Sequence, residues 1–240
     1  TYGGGAPNAL NALAWIIAGL KDTSGHVTIP GFYDRVVDPG PEEMESWRRL
    51  GIDEARLLRD EIGSDAFFGE PEYGILHRLY ARPTLDVHGI RGGFTGDGSK
   101  TVIPARALAK VSMRLVPRQD PNEVFEAYRK RVAELATPGT RVTVRPLSLD
   151  EPVSAAVGGR GVQAAARAFK RAFDEDAVFI RMGGSIPVMA AFQKHLGVEL
   201  IASGFGLPDD RLHSPNEKLD ISQFEGGIKT SAALLEELAP

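Results

Sequence analysis

Two kinds of apolar pattern occupy this chain, and they change over near Pro152. Before it, strand-like segments alternate apolar and polar residues, the period of a sheet with one packed and one open face. After it, the short strand-like runs are continuously apolar, as strands covered on both faces are. One layer scheme cannot serve both. The fold class predicted is α/β, in two units: a two-layer α+β unit over 1–152, with a surface insertion at about 34–80, and an incomplete α/β unit over 153–240.

In the first unit Leu10, Leu13, Ala14, Ile17 and Leu20 follow helical spacing after Pro7, which suits a first turn. Glu42–Leu50 and Asp53–Ile62 read as two short charged helices joined at Gly51, on the surface rather than in the core. Leu85–Ile90 alternates as a strand, and Arg91–Ser99 is too rich in glycine for anything but a loop. In Lys110–Val116 the apolar Val111, Met113 and Leu115 share one face, so Ser112 and Arg114 point the other way. Asp120, Pro121 and Glu123 open a helix with a capping box, and Val124, Tyr128, Val132 and Leu135 form its buried stripe. Arg141–Arg145 alternates as a further strand.

In the second unit a helix over Gly161–Phe173 precedes the apolar run Ala177–Ile180. Arg181–Ser185 turns into a helix with Pro187 in its first turn, and Val198–Ala202 is the next strand. The last helix, Ser222–Leu238, is expected to be capped by Ser222 with Glu225 and to bury Phe224, Ile228, Ala232 and Leu235. Two strands do not make a buried sheet, so this unit reads as part of a larger one.

Composition narrows the function classes. Apolar residues are 42% and charged residues 25% of 240, as in soluble globular proteins, and the net charge of −4 carries no block of like charges. Nothing points to nucleic acid or to a membrane. The lack of cysteine excludes disulfides and thiolate metal sites and suits a cytoplasmic setting. Thr1-Tyr2-Gly3-Gly4-Gly5 reads as the middle of a motif, so the chain is expected to begin inside a larger protein.

Three places can carry chemistry. Gly204–Glu217 surrounds His213 with prolines, glycines and acids; it must be a loop, and loops on a rigid scaffold concentrate function. A plain polar connection accounts for it as well, since no other histidine lies at metal-ligand spacing and Asp209, Asp210 and Glu217 suit solvated or capping roles. Ile180–Pro187 is a strand-to-helix turn in which the Gly183 and Gly184 backbone, the Ser185 hydroxyl and the helix N-terminus form an anion site, or else an ordinary tight turn. A carboxylate fits there at least as well as a phosphate. Arg114 offers a bidentate fork for the same anion, or a surface ion pair. His26, His77, His88 and His195 read as structural or exposed.

Taken in order, four blocks resemble the carnosinase-like zinc dipeptidases, a family that also holds aminoacylase, carboxypeptidase G and succinyl-diaminopimelate desuccinylase. They are Thr1-Tyr2-Gly3-Gly4 with Pro7-Asn8; Lys100–Ala105 running to Arg114–Pro117; Gly183-Gly184-Ser185-Ile186-Pro187; and Leu212-His213-Ser214-Pro215-Asn216-Glu217. The resemblance implies a two-zinc catalytic domain and a lid domain through which two copies form a homodimer. It makes His213 a zinc ligand, has Arg114 and Ser185 hold the C-terminal carboxylate of a small peptide, with Gly183 and Gly184 beside them, and sets Thr101 near the site, within reach of a neighbouring subunit.

The same resemblance places the tetrahedral-intermediate histidine, the H-x-D motif, the bridging aspartate, the paired glutamates and the last carboxylate ligand upstream of Thr1. No catalytic residue is therefore expected among these 240. This piece is predicted to be inactive and to hold no stoichiometric zinc. An N-acyl amino-acid amidohydrolase with the same clamp, and a non-catalytic dimerisation module, are the alternatives.

Overall fold

The computed structural model of the chain describes residues 1–181 and 186–239. Its elements are α1 (Ala9–Ala18), α2 (Pro41–Arg48), the single turn α3 (Glu54–Arg56) continued by a wider turn at Leu57–Ile62, α4 (Ile75–Ala81), β1 (Thr84–Gly92), β2 (Ala107–Arg114), α5 (Pro121–Leu135), α6 (Arg160–Phe173), α7 (Pro187–Leu196), a short 3-10 turn (Pro208–Asp210) and α8 (Ile221–Leu238). The described residues form two compact units. One comprises Thr1–Asp38 and Phe68–Pro152; the other comprises Pro39–Phe67, Val153–Arg181 and 186–239.

The first unit is built on β1 and β2, an antiparallel pair with Thr84 opposite Arg114 and Gly92 opposite Ala107. A register shift between Val87 and Gly89 leaves His88 at a bulge, where its Nε2 meets the Ser112 hydroxyl. Exposure along β2 alternates residue by residue, as its sequence predicts. The core joins Ile16, Leu20, Val27, Ile29, Phe32, Leu85 and Val132, with Val111, Met113, Val124, Tyr128 and Leu135 packed against it. α1 starts where the Asn8 side chain accepts from Leu10 N and Asn11 N, and α5 starts at Asp120, which caps Asn122 N ahead of Pro121. The α5 stripe is as predicted. That of α1 is turned: Ala12 and Ile16 are buried and Ala14 is exposed, while Leu20 is buried as predicted.

Arg141–Arg145 forms no ladder, although Val144 packs on the core. Alternation assigns faces, but a strand also needs a neighbour for its backbone groups. α4 falls in the segment expected as a surface insertion, where the sequence predicts no helix after Ile62. It leads into Arg82, whose guanidinium makes a buried bidentate pair with Glu70 at 2.8 and 2.6 Å.

In the second unit α6 packs along α8 through small residues, Ala164 and Ala168 on one side and Gly226, Gly227 and Ala233 on the other. The glycines are required. A Cβ on Gly226 would sit 2.3 Å from the Phe173 ring, and one on Gly227 would sit 3.0 Å from the Phe205 ring. Phe169 and Phe173 stack at 4.6 Å, and Phe205 continues the stack at 6.1 Å from Phe173. α8 therefore differs from its sequence expectation. Phe224, Ile228, Ala232 and Leu235 are exposed, and the small residues between them carry the packing. The helix starts after Asp220 with no side-chain cap bond, rather than at Ser222.

α2 is also more than surface. Trp47 is 1% exposed, and its indole N–H donates to Phe179 O at 3.1 Å. Ala177–Ile180 and Val198–Ala202, expected as strands, have no ladder partners among the described residues.

Candidate functional site

Arg114 closes β2 on its exposed face, where alternation puts it. Its side chain lies on the face away from the packed layer. Thr101 is exposed in the coil between β1 and β2. Both belong to the first unit. Gly183, Gly184 and Ser185 lie outside the described residues. Arg181, in the second unit, makes a bidentate pair with Glu43 of α2 at 2.8 and 2.7 Å.

His213 lies in the second unit, exposed, on a loop whose backbone is unusual. Arg211, His213 and Asn216 all have left-handed φ, at 55°, 62° and 61°. Non-glycine residues adopt that region at a cost and need surroundings that hold them there. Those surroundings centre on Asp210, which is fully buried. Its carboxylate accepts from Leu207 N at 2.7 Å and from Lys218 Nζ at 3.1 Å, and its carbonyl accepts from Lys218 N at 3.0 Å. The loop is thus tied at its neck on either side of His213. Lys218 also reaches Asp209 at 3.0 Å and Asp220 at 3.1 Å. Hydrogen bonds to Asp209, Asp220 and Asp210 hold its ammonium well above the usual lysine range, and Asp209 is correspondingly lowered by Lys218.

Sequence reading left Asp209 and Asp210 as solvated or capping acids. The structure makes Asp210 a buried cap of the loop and Lys218 its cross-link. The signal available was an acid placed to meet the Leu207 amide just after Pro208, with a lysine across the loop, and it is a weak one.

A two-zinc centre needs about three protein ligands at each ion. Among the described residues His213 belongs to no group of metal-type donors; the only such group is His26, Glu70 and Glu72, in the first unit. The described residues of this chain alone do not fit a two-zinc centre at His213. What they offer is one exposed imidazole on a fixed loop and one exposed guanidinium at a strand end.

Comparison with known proteins defines the class. Residues 2–140 match the model of the peptidase dimerisation domain, so the chain belongs to the M20 peptidase family. Its particular relatives are dipeptidases and a carboxypeptidase. It is 30% identical over 242 residues to the human Beta-Ala-His dipeptidase, covering all of this chain and 48% of that protein. The fold matches the M20 family metallo-carboxypeptidase Sso-CP2 of Sulfolobus solfataricus with a TM-score of 0.83 at 32% identity, over 96% of this chain and 52% of the other. It matches the di-peptidase Dug1p of Saccharomyces cerevisiae with a TM-score of 0.82 at 29% identity, over 98% and 50%. The chain spans about half the length of the curated relatives it matches. No helix among the described residues is long and apolar enough to cross a membrane.

Proposed function

We propose that this chain supplies the substrate-carboxylate clamp, one zinc ligand and the dimerisation surface of a di-zinc dipeptidase. The remaining metal ligands and the general base come from a segment outside these residues. The observation that carries this reading is similarity along the whole chain to dipeptidases of which it covers about half. Residues 1–152 act as the lid and pairing domain, and 153–240 complete a catalytic domain.

In this reading Arg114 grips the free C-terminal carboxylate of a dipeptide through two parallel N–H donors, which fixes the direction in which the peptide lies. The Ser185 hydroxyl and the Gly183 and Gly184 amides add donors to the same group, and Thr101 completes the pocket from the neighbouring subunit. His213 is the one imidazole donor that this chain brings to zinc. The neck tie at Asp210 and Lys218 keeps it presented at fixed backbone geometry. Alone, the chain hydrolyses no dipeptide and its His213 loop holds no stoichiometric zinc. A setting in the cytoplasm suits a chain without cysteine.

The coding sequence upstream of Thr1 tests the assignment. An H-x-D motif followed by an adjacent pair of glutamates is expected there, and a reading frame with neither would overturn it. Pairing is tested by light scattering at micromolar concentration, where two chains per particle are expected and monomer alone contradicts the pairing role of the first domain. A panel of dipeptides and N-acyl amino acids, applied to the complete enzyme, separates peptidase from amidohydrolase.

A further inference from the structure

The His26 region is more highly organised than a surface ion pair requires. His26 follows a tight turn in which the Asp22 carboxylate accepts from Ser24 N at 2.8 Å and from His26 N at 3.0 Å. The same carboxylate lies 3.4 Å from His26 Nδ1. Across from it, His26 Nε2 is 2.6 Å from Glu72 Oε1. The two segments meet backbone to backbone: Gly25 has a φ of +92°, and a Cβ there would fall 2.7 Å from Gly69 Cα. That contact sets His26 against the stretch carrying Glu70 and Glu72.

Glu70 is 5% exposed and is held from behind by Arg82. Arg82 is itself fixed between the rings of Tyr33 and Tyr73, at 4.6 and 4.3 Å. Each carboxylate oxygen has two lone pairs, and Arg82 takes one from each, so Glu70 keeps acceptor capacity toward His26. One donor atom from each of His26, Glu70 and Glu72 lies within 4.8 Å of the others. One imidazole and two carboxylates form a set that zinc and manganese accept. An imidazole whose second nitrogen faces a carboxylate is the arrangement that orients a histidine for a metal and raises its basicity.

We propose that the first unit binds one divalent transition-metal ion, of the zinc or manganese class, between His26, Glu70 and Glu72, with Asp22 and Arg82 orienting the ligands from behind. The proposal does not involve His213 or the dipeptidase reading, and it departs from the sequence expectation that the chain holds no stoichiometric zinc. The groups facing His26 are Asp22, Glu70 and Glu72, with Arg82 and Tyr33 behind Glu70. A metal takes the neutral imidazole, so a proton on Nε2 competes with the ion and affinity rises with pH.

Titration of the purified full chain with zinc, by calorimetry, and with cobalt, by its visible absorption band, tests this. One ion per chain is expected, with affinity increasing with pH. Glu72→Gln removes an exposed ligand and leaves the fold, checked by circular dichroism, and should weaken binding more than about tenfold; Asp22→Asn should weaken it by about tenfold or more. His26→Ala should abolish it, and His213→Ala should leave it unchanged. No binding at millimolar metal, binding indifferent to His26→Ala and Glu72→Gln, or binding lost with His213→Ala would each overturn the proposal.

Discussion

The two units use apolar residues in opposite ways. In the first, large side chains meet large side chains: Phe32, Leu20, Ile16 and Leu85 close one core beneath a two-stranded sheet. In the second, the tightest seam is made of glycine and alanine, while Ile221 (76%), Leu235 (73%) and Phe224 (59%) of α8 stay exposed. Ile186 and Leu196, at either end of α7, are exposed as well. Single exposed apolar residues are ordinary, but a stripe of them along one helix marks a face shaped for contact. The first unit is thus expected to owe its stability to its own core. The second holds its helices by close backbone approach and shows its large residues outward.

Substitutions can break that contrast. Phe32→Ala should have the largest effect, destabilising the first unit by about 3–5 kcal/mol in urea unfolding, because a fully buried ring leaves a cavity. A loss below about 1 kcal/mol would mean that this core is not the source of its stability. Gly226→Ala should cost the second unit about 1–3 kcal/mol, since the new Cβ meets the Phe173 ring. Its transition should shift while that of the first unit stays in place.

A pH series sharpens the comparison, because the His26–Glu72 pair belongs to the first unit only. The His26 pKa is raised above its ordinary 6.5 by the bond to Glu72, so its stabilising effect is complete below that value and is lost as pH rises through the raised folded value. Glu72 is lowered below its ordinary 4.5 by the same bond, so its contribution holds above that value and is lost as pH falls through the lowered one. The first unit should therefore lose stability on both sides of mildly acidic pH, and Glu72→Gln should flatten the profile. The smallest effect is expected outside the α8 seam. Leu235→Ser and Phe224→Asn should change stability by no more than about 0.5 kcal/mol, since neither side chain is packed.

Local pattern carried much of this architecture. Period-two alternation placed Arg114 on the open face of β2, and an aspartate before proline marked the start of α5. The prolines and glycines around His213 marked its loop. Other features depend on partners that a linear pattern does not name. Amphipathicity gave α8 a stripe through Phe224, Ile228 and Leu235, but which stripe meets α6 is decided by small residues that admit the Phe173 and Phe205 rings. Alternation in Arg141–Arg145 supplied faces without supplying a neighbouring strand. The His26 cluster arises because a Gly25–Gly69 contact joins segments far apart in sequence. Of the residues assigned to the candidate site, Arg114, Thr101 and His213 have described positions, while Gly183, Gly184 and Ser185 lie outside the described residues.

The function proposed above has this chain bring a clamp and a single zinc ligand to a dipeptidase centre, and no catalytic residue. Hydrolysis of simple dipeptides such as Cys-Gly by the purified 240-residue chain in the presence of zinc measures it directly. No turnover above the uncatalysed rate is expected. Hydrolysis that a chelator abolishes would contradict the account.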